Sequence, residues 1–427
     1  MNLPFDTEEQ IISKQSYALR LQLQYLQTYS PYYKRIFKEQ CIDINAVQSL
    51  DDLTRLPITT KEDLNQYYNE MLCIAPEQIA DTVVTSGTLG EPIPFHLSEK
   101  DIQRLAHNEF LSLSLAGITS ADKVQLTATM DKLFMAGMAY YLGLRKIGAG
   151  VIRVGPGAPE LQWNTIKRFK PTVFIGVPSF IVKLLDYAHT NGIDPKQTSV
   201  TKIVCIGEAI RNEDLSFNNL GKKIIDRWPV MLHSTYASTE MSTAFTECDA
   251  GRGGHQLHDL IITELLGDDD KPVKDGETGE LVITTLGIES MPLLRFKTGD
   301  ICRFYTEPCV CGRNTKRVGP IVGRKKQMIK FKGTTLYPPA LSEILNEIDC
   351  IQTYYTEIYR SDLGLDMIRV HVACKAENDE NDKEIKDHFK AKIRVTPEVI
   401  YEKAEVIEKI RNSSNFRKPV DFIDKRN

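Results

Sequence analysis

Apolar and aromatic residues recur at helical spacing near the start of the chain. From Ser13 to Gln40 the pattern breaks only at Tyr29-Ser30-Pro31, which predicts two amphipathic helices joined by a turn. Further on, short apolar runs alternate with helical segments. The predicted helices are 101–115, 134–147 and 160–169, and the predicted strands are 124–128, 151–154, 172–176 and 202–206. This alternation with short connections predicts a mostly parallel sheet covered on both faces.

The pattern becomes β-like from about residue 260. Runs at 260–266, 279–285 and 302–305 predict antiparallel strands with polar hairpins. A last unit has the order of a split βαβ sandwich of about 100 residues. Its predicted elements are a strand at 328–332, a helix at 340–348, strands at 354–359 and 367–374, a helix at 383–393 and a strand at 399–406.

The predicted fold class is therefore α/β, in two domains. A large N-terminal domain, 1–323, has mixed and parallel sheets covered by helices, with a β subdomain from about 255. A small ferredoxin-like α+β domain occupies 328–427, and 324–327 is the predicted hinge. A chain of 427 residues exceeds what one hydrophobic core usually supports, which also favours more than one domain.

Composition excludes several classes of protein. With 42% apolar and 26% charged residues the chain is typical of a soluble globular protein, and no segment has the unbroken apolar length of a membrane helix. The first ten residues lack a basic region followed by an apolar run, so we expect a cytoplasmic protein. A formal charge of -4 argues against nucleic-acid or membrane partners. Nine cysteines, an odd number, indicate reduced thiols rather than a disulfide framework.

A loop rich in glycine and hydroxyl residues follows the β-like run 81–84. It is Thr85-Ser86-Gly87-Thr88-Leu89-Gly90-Glu91-Pro92. Glycines let backbone N–H groups turn inward around an anion, and hydroxyls add short donors, so such a loop suits phosphate. Its spacing is neither that of a Walker loop nor that of a dinucleotide fold, and an ordinary solvated turn is the alternative.

Three other polar segments follow strand-like runs. They are Val177-Pro178-Ser179, Gly207-Glu208-Ala209 and Tyr236-Ala237-Ser238-Thr239-Glu240. Ligands of parallel sheets collect beyond the carboxyl ends of strands, so the first two of these segments could line one crevice with the glycine-rich loop. A base could stack on Tyr236, a phosphate could accept from Thr239, and Mg²⁺ could take Glu240 as a ligand. A tyrosine held in the sheet beside a solvated glutamate is the alternative.

Cysteines and histidines cluster on two loops of the β region. Cys309 and Cys311 form a close pair, and Cys248 precedes a glycine-rich run that is followed by His255 and His258. Cys248, Cys309, Cys311 and His255, with His258 as the alternative, would form a tetrahedral Zn²⁺ set. That metal would be structural, because four protein ligands leave no open position. Cysteines without a metal in a reducing compartment are the other interpretation.

Four motifs occur in order along the chain. They are Ser-Gly-Thr-x-Gly at 86–90, Tyr-x-x-Thr-Glu at 236–240, Lys-Thr-Gly-Asp at 297–300, for which a Gly-Asp turn is predicted, and Gly-Arg-x-x-x-Met at 323–328. Together they resemble the adenylate-forming superfamily of acyl- and aryl-CoA synthetases and luciferases. Within it the chain is most similar to phenylacetate-CoA ligases over nearly its whole length, and several such proteins carry an element like Cys-x-Cys-Gly-Arg at 309–313.

The resemblance implies a role for individual residues. Lys418, Thr239 and Glu240 would be catalytic, and Glu240 would bind Mg²⁺. The implied ATP- and AMP-binding residues are Ser86, Gly87, Thr88, Gly90, Gly207, Glu208, Ala209, Tyr236, Ala237, Ser238, Asp300 and Arg324. The residues implied for the acyl pocket are Phe134, Met135, Gly137 and Pro178. Those implied for the CoA channel are Gly333 and Thr334, and the implied hinge residue is Lys326. Without the resemblance, Lys418 is a tail lysine in a basic cluster, and a Phe-Met pair at a helix start is more often core.

The implied function is ATP-dependent ligation of an aryl or short apolar acid, phenylacetate-like, to coenzyme A through an acyl-adenylate. ATP, CoA, Mg²⁺ and a structural Zn²⁺ are the implied cofactors, the small-molecule acid is the implied partner, and a homodimer is left open. The chain departs from the family at Glu91, where Lys is common, at Ala237 in place of Gly, and at the hinge Lys325-Lys326-Gln327. The alternatives are transfer to a carrier protein or amine, and a catalytically degenerate nucleotide-binding protein.

Overall fold

The computed structural model describes residues 5–85, 92–331, 334–361, 365–374, 379–393, 395–412 and 420–426. The chain forms two compact units. The larger unit comprises Met1–Thr298 and Cys302–Pro320, and the smaller comprises Gly299–Ile301 and Ile321–Asn427. Among the described residues, no helix is both long and apolar enough to cross a membrane.

Helices of the larger unit cover the first half of the chain. They are α1 (Glu8–Tyr29), α2 (Pro31–Glu39), α3 (Lys61–Met71), α4 (Glu99–Leu115), α5 (Met135–Ile147), α6 (Pro159–Phe169), α7 (Pro178–Thr190) and α8 (Asn219–Ile225). Those of the smaller unit are α9 (Pro338–Asn346), α10 (Asp379–Ile393) and α11 (Ala404–Arg411).

The strands are short in the first part of the chain and longer after residue 230. The first seven are β1 (Asp81–Val84), β2 (Pro94–Leu97), β3 (Lys123–Leu126), β4 (Gly150–Arg153), β5 (Val173–Gly176), β6 (Lys202–Ile206) and β7 (Met231–Ser238). The next seven are β8 (Thr243–Thr246), β9 (Gly254–His255), β10 (Ile261–Leu266), β11 (Thr278–Thr285), β12 (Phe296–Tyr305), β13 (Arg317–Val318) and β14 (Gly323–Arg324). The last six are β15 (Ile329–Phe331), β16 (Thr334–Leu336), β17 (Ile351–Arg360), β18 (Asp366–Cys374), β19 (Glu398–Tyr401) and β20 (Phe422–Asp424).

One long sheet has the strand order β10-β11-β12-β13-β9-β8-β7-β6-β5-β3-β4. Strands β4, β3, β5, β6 and β7 run parallel, and the pairings β7–β8, β8–β9, β9–β13, β12–β13 and β10–β11 are antiparallel. The parallel strands connect through helices, as parallel strands require. The antiparallel strands continue the same sheet, so the β region from about 255 is continuous with the parallel part. Strands β1 and β2 form a separate hairpin.

Helices α3 and α4 begin where local side chains satisfy their first N–H groups. Ser98 and Asp101 form a capping box at the start of α4, and Thr60 and Asp63 form one at α3. The Asp101 carboxylate also accepts from the backbone N–H groups of Glu289 and Ser290 at 2.7 and 2.9 Å. One carboxylate therefore both caps α4 and fixes a loop that lies far away in the sequence.

The core of the larger unit packs helices onto the parallel strands. Trp163, Phe174 and Trp228 are at most 3% exposed and lie within one apolar cluster with residues of α7 and β6. Trp163 and Trp228 have ring centroids 5.2 Å apart. Aromatic pairs at this separation bury a large area, so this cluster holds α6 and α7 against the sheet.

The smaller unit has a four-stranded sheet of order β19-β18-β17-β20. Strands β17 and β18 are antiparallel, while β19 and β20 run parallel to their neighbours. Helices α9 and α10 contribute to its apolar core through Leu341, Ile344, Ile385 and Phe389. The predicted fold class is confirmed: helices cover a large mixed sheet, and a smaller sheet domain follows.

Two predicted elements are wrong in detail, and a third is present but pairs differently from a strand of a split βαβ sandwich. The predicted strand 399–406 ends at Tyr401, and α11 begins at Ala404. The predicted Gly299-Asp300 turn lies inside β12, where Asp300 pairs with Arg324. The strand predicted at 328–332 pairs with β16 in a two-stranded sheet, so the edge beside β17 is taken by β20 instead. Partners distant in sequence place Asp300 beside Arg324 and β20 beside β17, and local patterns do not reveal such partners.

Candidate active site and metal centre

Three of the polar segments lie side by side at one edge of the parallel sheet. The registers of β5, β6 and β7 place Gly176 opposite Cys205 and Ile206 opposite Thr235. The residues that follow these partners therefore leave the sheet at the same edge, where parallel sheets bind ligands. They are Pro178 after β5, Gly207-Glu208-Ala209 after β6, and Tyr236-Ala237-Ser238 at the end of β7.

A carboxylate joins two of these segments. The Glu208 side chain accepts hydrogen bonds from the backbone N–H and from the hydroxyl of Ser179, both at 2.9 Å. Ser179 lies in the first turn of α7, where N–H groups lack helical partners and a negative charge is stabilised. Both Glu208 oxygens are thus engaged with the neighbouring turn. The Glu208 side chain therefore fixes the spacing between the turn after β5 and the turn after β6.

The Tyr236 ring lies on a buried aromatic neighbour. Tyr236 pairs with Phe245 across β7 and β8, and their rings are stacked with centroids 6.0 Å apart at 23°. Phe245 is 1% exposed, whereas Tyr236 is half-buried. A ring supported on one face by a rigid neighbour is suited to stack a planar ligand on its other face.

A half-buried arginine holds the turn after β7. Arg104 on α4 donates to the carbonyl of Ser242 at 2.8 Å and to the Thr243 hydroxyl at 3.2 Å. It also donates to the carbonyls of Leu260 and Leu286, at 2.6 and 2.7 Å. Burial lowers the pKa of Arg104 to about 10, so it stays charged at neutral pH. The guanidinium thus joins the start of β8 to the residue before β10 and the residue after β11.

Arg104 acts on the segment that carries the candidate phosphate and magnesium ligands. Thr239 and Glu240, both half-buried, lie in the turn between β7 and β8. The backbone N–H of Ser242 donates to the carbonyls of Ser238 and Thr239, both at 3.2 Å. Ser242 has φ of 45°, a left-handed conformation that a non-glycine residue adopts only when its surroundings hold it. Arg104 therefore fixes the end of a strained turn.

The base of the glycine-rich loop lies near the start of α5. The backbone N–H of Val84 donates to the carbonyl of Leu133 at 3.1 Å. Thr85 closes the loop, because its N–H donates to the Ile93 carbonyl and its hydroxyl accepts from the Ile93 N–H, at 3.0 and 3.1 Å. Leu133 follows β3, which ends at the same sheet edge as β5. The loop thus begins at the edge where the three segments meet.

The candidate acyl-pocket residues divide into core and edge. Met135 is 5% exposed and belongs to the core, whereas Phe134 is half-buried and packs against an apolar cluster of β3, β5 and α5. A Cβ at Gly137 would collide with the Thr129 carbonyl oxygen, so glycine lets α5 approach the loop after β3. Pro178 opens α7 and is buried.

In the smaller unit, two predicted nucleotide contacts lie together. Asp300 pairs with Arg324 across β12 and β14, and the Arg324 Nε lies 3.4 Å from an Asp300 carboxylate oxygen. Asp300 is 8% exposed. Lys326 follows in a short 3-10 turn, Lys325–Gln327. Arg426 donates to the Met328 carbonyl at 2.6 Å, so the chain after this turn is held by the C-terminal segment.

Four of the predicted metal ligands converge in the larger unit. Donor atoms of Cys248, His255, Cys309 and Cys311 all lie within 4.8 Å of one another. The Cys248 and Cys309 sulfurs are 3.7 Å apart, and the Cys311 sulfur is 3.5 Å from His255 Nε2. Burial, with Arg313 and Arg317 nearby, lowers the pKa of His255 to about 3, so its imidazole is neutral. A neutral imidazole and three thiols form a donor set suited to zinc.

Neighbouring residues orient this cluster. His255 Nδ1 lies 2.8 Å from the Thr315 hydroxyl, which leaves Nε2 directed toward the sulfurs. His258, the alternative ligand, lies outside the group of four, and its Nε2 is 2.9 Å from the Asp6 carboxylate. The Phe5 ring packs against the Arg313 guanidinium at 4.8 Å. The first described residues thus cover the loop that carries Cys309 and Cys311.

Known proteins with similar sequences indicate the family of this chain. The family described as AMP-binding enzyme matches residues 32–290. Phenylacetate-coenzyme A ligase from Thermus thermophilus is 30% identical over 373 residues, which cover 85% of this chain and 81% of that protein. Phenylacetate-coenzyme A ligase from Escherichia coli is 26% identical over 373 residues, covering 86% and 83%.

The chain belongs to the AMP-binding enzyme family. Within it, this AMP-binding enzyme is an AMP-forming acid–CoA ligase similar to phenylacetate-CoA ligases, and ATP and CoA are its co-substrates. The crystal structure of 2-hydroxyisobutyryl-CoA ligase in complex with 2-HIB-AMP shares the fold, with a TM-score of 0.83 at 22% identity. That alignment covers 96% of this chain and 89% of the other.

Some predicted residues of this AMP-binding enzyme lie outside the described residues. They are Ser86, Gly87, Thr88, Gly90, Gly333 and Lys418. Of Thr334 only the backbone is described, in β16. The roles of all predicted site residues stay predictions.

Sequence reasoning about this AMP-binding enzyme missed its supporting residues. Arg104 and Thr315 lie outside every motif and act through contacts with partners 60 to 182 residues away. Ser179 lies in a segment that the sequence analysis singled out, but its contact with Glu208, 29 residues away, was not predicted. Arg104 carried one usable signal: it is a charged residue within a helix whose flanking pattern predicts core packing.

Proposed function

We propose that this AMP-binding enzyme joins an aryl or short apolar carboxylic acid, of the phenylacetate type, to coenzyme A through an acyl-adenylate. The observation that carries the proposal is the shared sheet edge. The turns that bear Pro178 and Glu208, the end of β7 with Tyr236, and the base of the glycine-rich loop all lie there. Relatives named phenylacetate-coenzyme A ligase support the class of acid.

In the first half-reaction the acid carboxylate attacks the α-phosphorus of ATP and pyrophosphate leaves. Tyr236 stacks on adenine, Asp300 accepts from the ribose hydroxyls, and Thr239 donates to the α-phosphate. Lys418 bridges the two anions and stabilises the transition state without moving a proton. Glu240 supplies one half-buried carboxylate, which suits Mg²⁺. Mg²⁺ commonly takes one or two carboxylates together with phosphate oxygens, and when bound it would neutralise phosphate charge.

The other phosphate contacts come from the glycine-rich loop. Ser86, Gly87, Thr88 and Gly90 would surround the β- and γ-phosphates with N–H groups and hydroxyls. The Gly207 turn supplies backbone next to the nucleotide, since Gly207 and Ala209 are exposed and Gly207 has φ of 75°. Phe134, half-buried at the start of α5, supplies the apolar wall for the acid.

In the second half-reaction the thiol of CoA attacks the acyl carbon and AMP leaves. We expect the chain to pivot near Lys326, which withdraws Lys418 and brings Gly333 and Thr334 to the CoA channel. Lys418→Ala should then abolish adenylate formation but leave thioester formation from supplied acyl-AMP largely intact. Lys425→Ala is the matched control, because the Lys425 ammonium is paired with Glu357. Equal loss of both half-reactions in Lys418→Ala contradicts the assignment.

Pyrophosphate exchange over a panel of acids tests the function itself. We expect exchange with phenylacetate or a similar acid, and the thioester once CoA is added. Exchange without a thioester, together with acyl transfer to a carrier protein or an amine, would mean that CoA is not the acceptor. Silence with every acid would mean a degenerate nucleotide-binding protein. The cytoplasmic location and a homodimeric state stay predictions.

We also propose a structural zinc ion held by Cys248, His255, Cys309 and Cys311. Tetrahedral bonds of about 2.3 Å to sulfur and about 2.0 Å to nitrogen set separations of about 3.8 Å between sulfurs and about 3.5 Å between sulfur and nitrogen. The separations of 3.7 and 3.5 Å support this geometry. A bound zinc ion would cross-link the loop after β8 to the loop after β12.

Metal analysis of purified protein tests the zinc proposal. We expect about one zinc per chain in the wild type and in Cys41→Ser, an exposed control cysteine, and a marked loss in Cys311→Ser. A wild-type content clearly below one zinc per chain would favour cysteines without a metal.

A further inference from the structure

Two thiols that belong to neither candidate site meet in the smaller unit. Cys350 directly precedes β17, and Cys374 is the last residue of β18. The register places Ile351 opposite Cys374, and the Cys350 and Cys374 sulfurs are 3.5 Å apart. A disulfide has a sulfur–sulfur bond of about 2.0 Å, so the two sulfurs need to approach by about 1.5 Å. Rotation about two side chains and a small backbone movement cover that distance.

The backbone beside Cys350 is suited to such a movement. The pairing of β17 with β18 shifts register between Ile351 and Thr353. Residues at a bulge of this kind are left out of the regular ladder of hydrogen bonds, so they move at lower cost than paired residues. The approach of Cys350 therefore leaves the regular pairing from Thr353 to Arg360 intact.

Both cysteines are partly exposed. Cys350 and Cys374 are half-buried at the margin of the apolar core of the smaller unit, whereas Cys73 and Cys205 are buried. Neither belongs to the group of four that could bind a metal, the one such group found in the described part of the chain. Their chemistry is therefore that of a dithiol, and not that of a metal site.

We propose that Cys350 and Cys374 form a reversible disulfide, with a small disulfide such as oxidised glutathione as the oxidant. One cysteine thiolate attacks a glutathione sulfur, a mixed disulfide forms, and one glutathione thiolate leaves. The second cysteine thiolate then attacks the protein sulfur of that mixed disulfide, and the second glutathione leaves. The protein loses two electrons and two protons, and glutathione disulfide becomes two glutathione thiols.

The proximity of the pair decides which product accumulates. The second thiol lies in contact with the first, so its attack on the mixed disulfide is intramolecular and proceeds at a high effective concentration. The internal disulfide therefore forms in preference to a lasting glutathione adduct. The bond would fasten the start of β17 to the end of β18 and stiffen the smaller unit.

The test uses the full-length protein in glutathione buffers of increasing oxidised fraction. Remaining thiols are alkylated, and the protein is digested without reductant for mass spectrometry. We expect a linked peptide that contains Cys350 and Cys374 and is two hydrogens lighter than its reduced parts. Under the same conditions Cys205, which is alkylated only after unfolding, should carry no glutathione adduct. Cys41, an exposed cysteine, reports general oxidation by glutathione.

Single variants separate a dithiol from two independent cysteines. In Cys350→Ser we expect a stable glutathione adduct on Cys374, and in Cys374→Ser one on Cys350, because the resolving thiol is missing. The linked peptide should disappear on adding dithiothreitol. Separate adducts on both cysteines of the wild type, or two cysteines that stay fully alkylatable while Cys41 is glutathionylated, would overturn the proposal. Circular dichroism of each variant shows whether it is folded.

Discussion

A buried glutamate makes the stability of the larger unit depend on pH. Glu109 on α4 is 3% exposed, and one of its oxygens accepts from the Asn108 amide at 3.1 Å. Its other oxygen has no hydrogen-bond partner among the described residues. Burial raises the pKa of Glu109 to about 8, although the neighbouring Ser112 and Asn108 side chains act in the opposite direction. At pH 7 the folded protein therefore keeps this carboxyl protonated.

The sign and size of the effect follow from linkage. A pKa that is higher in the folded than in the unfolded state contributes stability that is complete below the unfolded pKa of 4.5 and is lost as the pH rises through about 8. The difference of about 3.5 pKa units, at 1.36 kcal/mol per unit, amounts to about 5 kcal/mol between pH 4.5 and 9. Local relaxation around the charged form makes this an upper limit.

Glu109→Gln tests this reasoning because glutamine has the same shape and stays neutral at every pH. We expect the variant to match the wild type within about 1 kcal/mol at pH 5 and to exceed its free energy of unfolding by about 2–5 kcal/mol at pH 9. Urea unfolding followed by tryptophan fluorescence is the assay. The chain has two tryptophans, Trp163 and Trp228, both in the core of the larger unit that contains Glu109.

The control is Glu77→Gln, which removes an exposed carboxylate from the same unit. It should leave the pH profile unchanged, since a solvated carboxylate has similar surroundings in both states. A difference between Glu109→Gln and the wild type that is the same at pH 5 and at pH 9 would refute the reasoning. Such a constant difference would mean that the carboxyl is not buried in its neutral form.

Three further predictions concern the candidate active site. Arg104→Lys should lower kcat/KM for ATP in pyrophosphate exchange by about 100-fold, because lysine cannot reach all four acceptors, while KM for CoA in the thioester step stays unchanged. Glu208→Gln should cost about 1–3 kcal/mol in unfolding experiments by tryptophan fluorescence, and a Ser179→Ala, Glu208→Gln double variant should cost less than the sum of the single variants. Tyr236→Ala should weaken AMP binding in calorimetry by about 1–3 kcal/mol, whereas Tyr236→Phe, which keeps the ring, should not.

The sequence was informative where structure depends on local pattern. The break at Tyr29-Ser30-Pro31 separates α1 from α2, because Ser30 caps the second helix and Pro31 begins it. The apolar runs before Pro178 and Gly207 are parallel strands, and their ends meet at one edge. Parallel strands that are buried on both faces are recognisable as continuous apolar runs, so the sheet and its edge could be predicted.

The features that sequence analysis missed depend on distant partners. The segment Lys297 to Asp300 contains a glycine and charged residues, which indicate a turn, yet pairing with Arg324 makes it part of a strand. Apolar residues recur at 404 and 406 after Glu402 and Lys403, but the helix that begins at Ala404 packs Ile407 into a separate cluster. The metal ligands could be grouped by residue type, whereas the choice of His255 over His258 needed the position of Asp6.

The hydrogen bonds between Ser179 and Glu208 have a consequence for selectivity engineering. Under the proposed function, a library that aims at a different acid would vary the turn before α7, next to Pro178. That turn is tethered to the one that borders the nucleotide, so enlarging or tightening the first displaces the second. Variants chosen for a new acid should therefore be screened for ATP affinity as well. Variants that preserve a hydroxyl at position 179 should retain ATP affinity best.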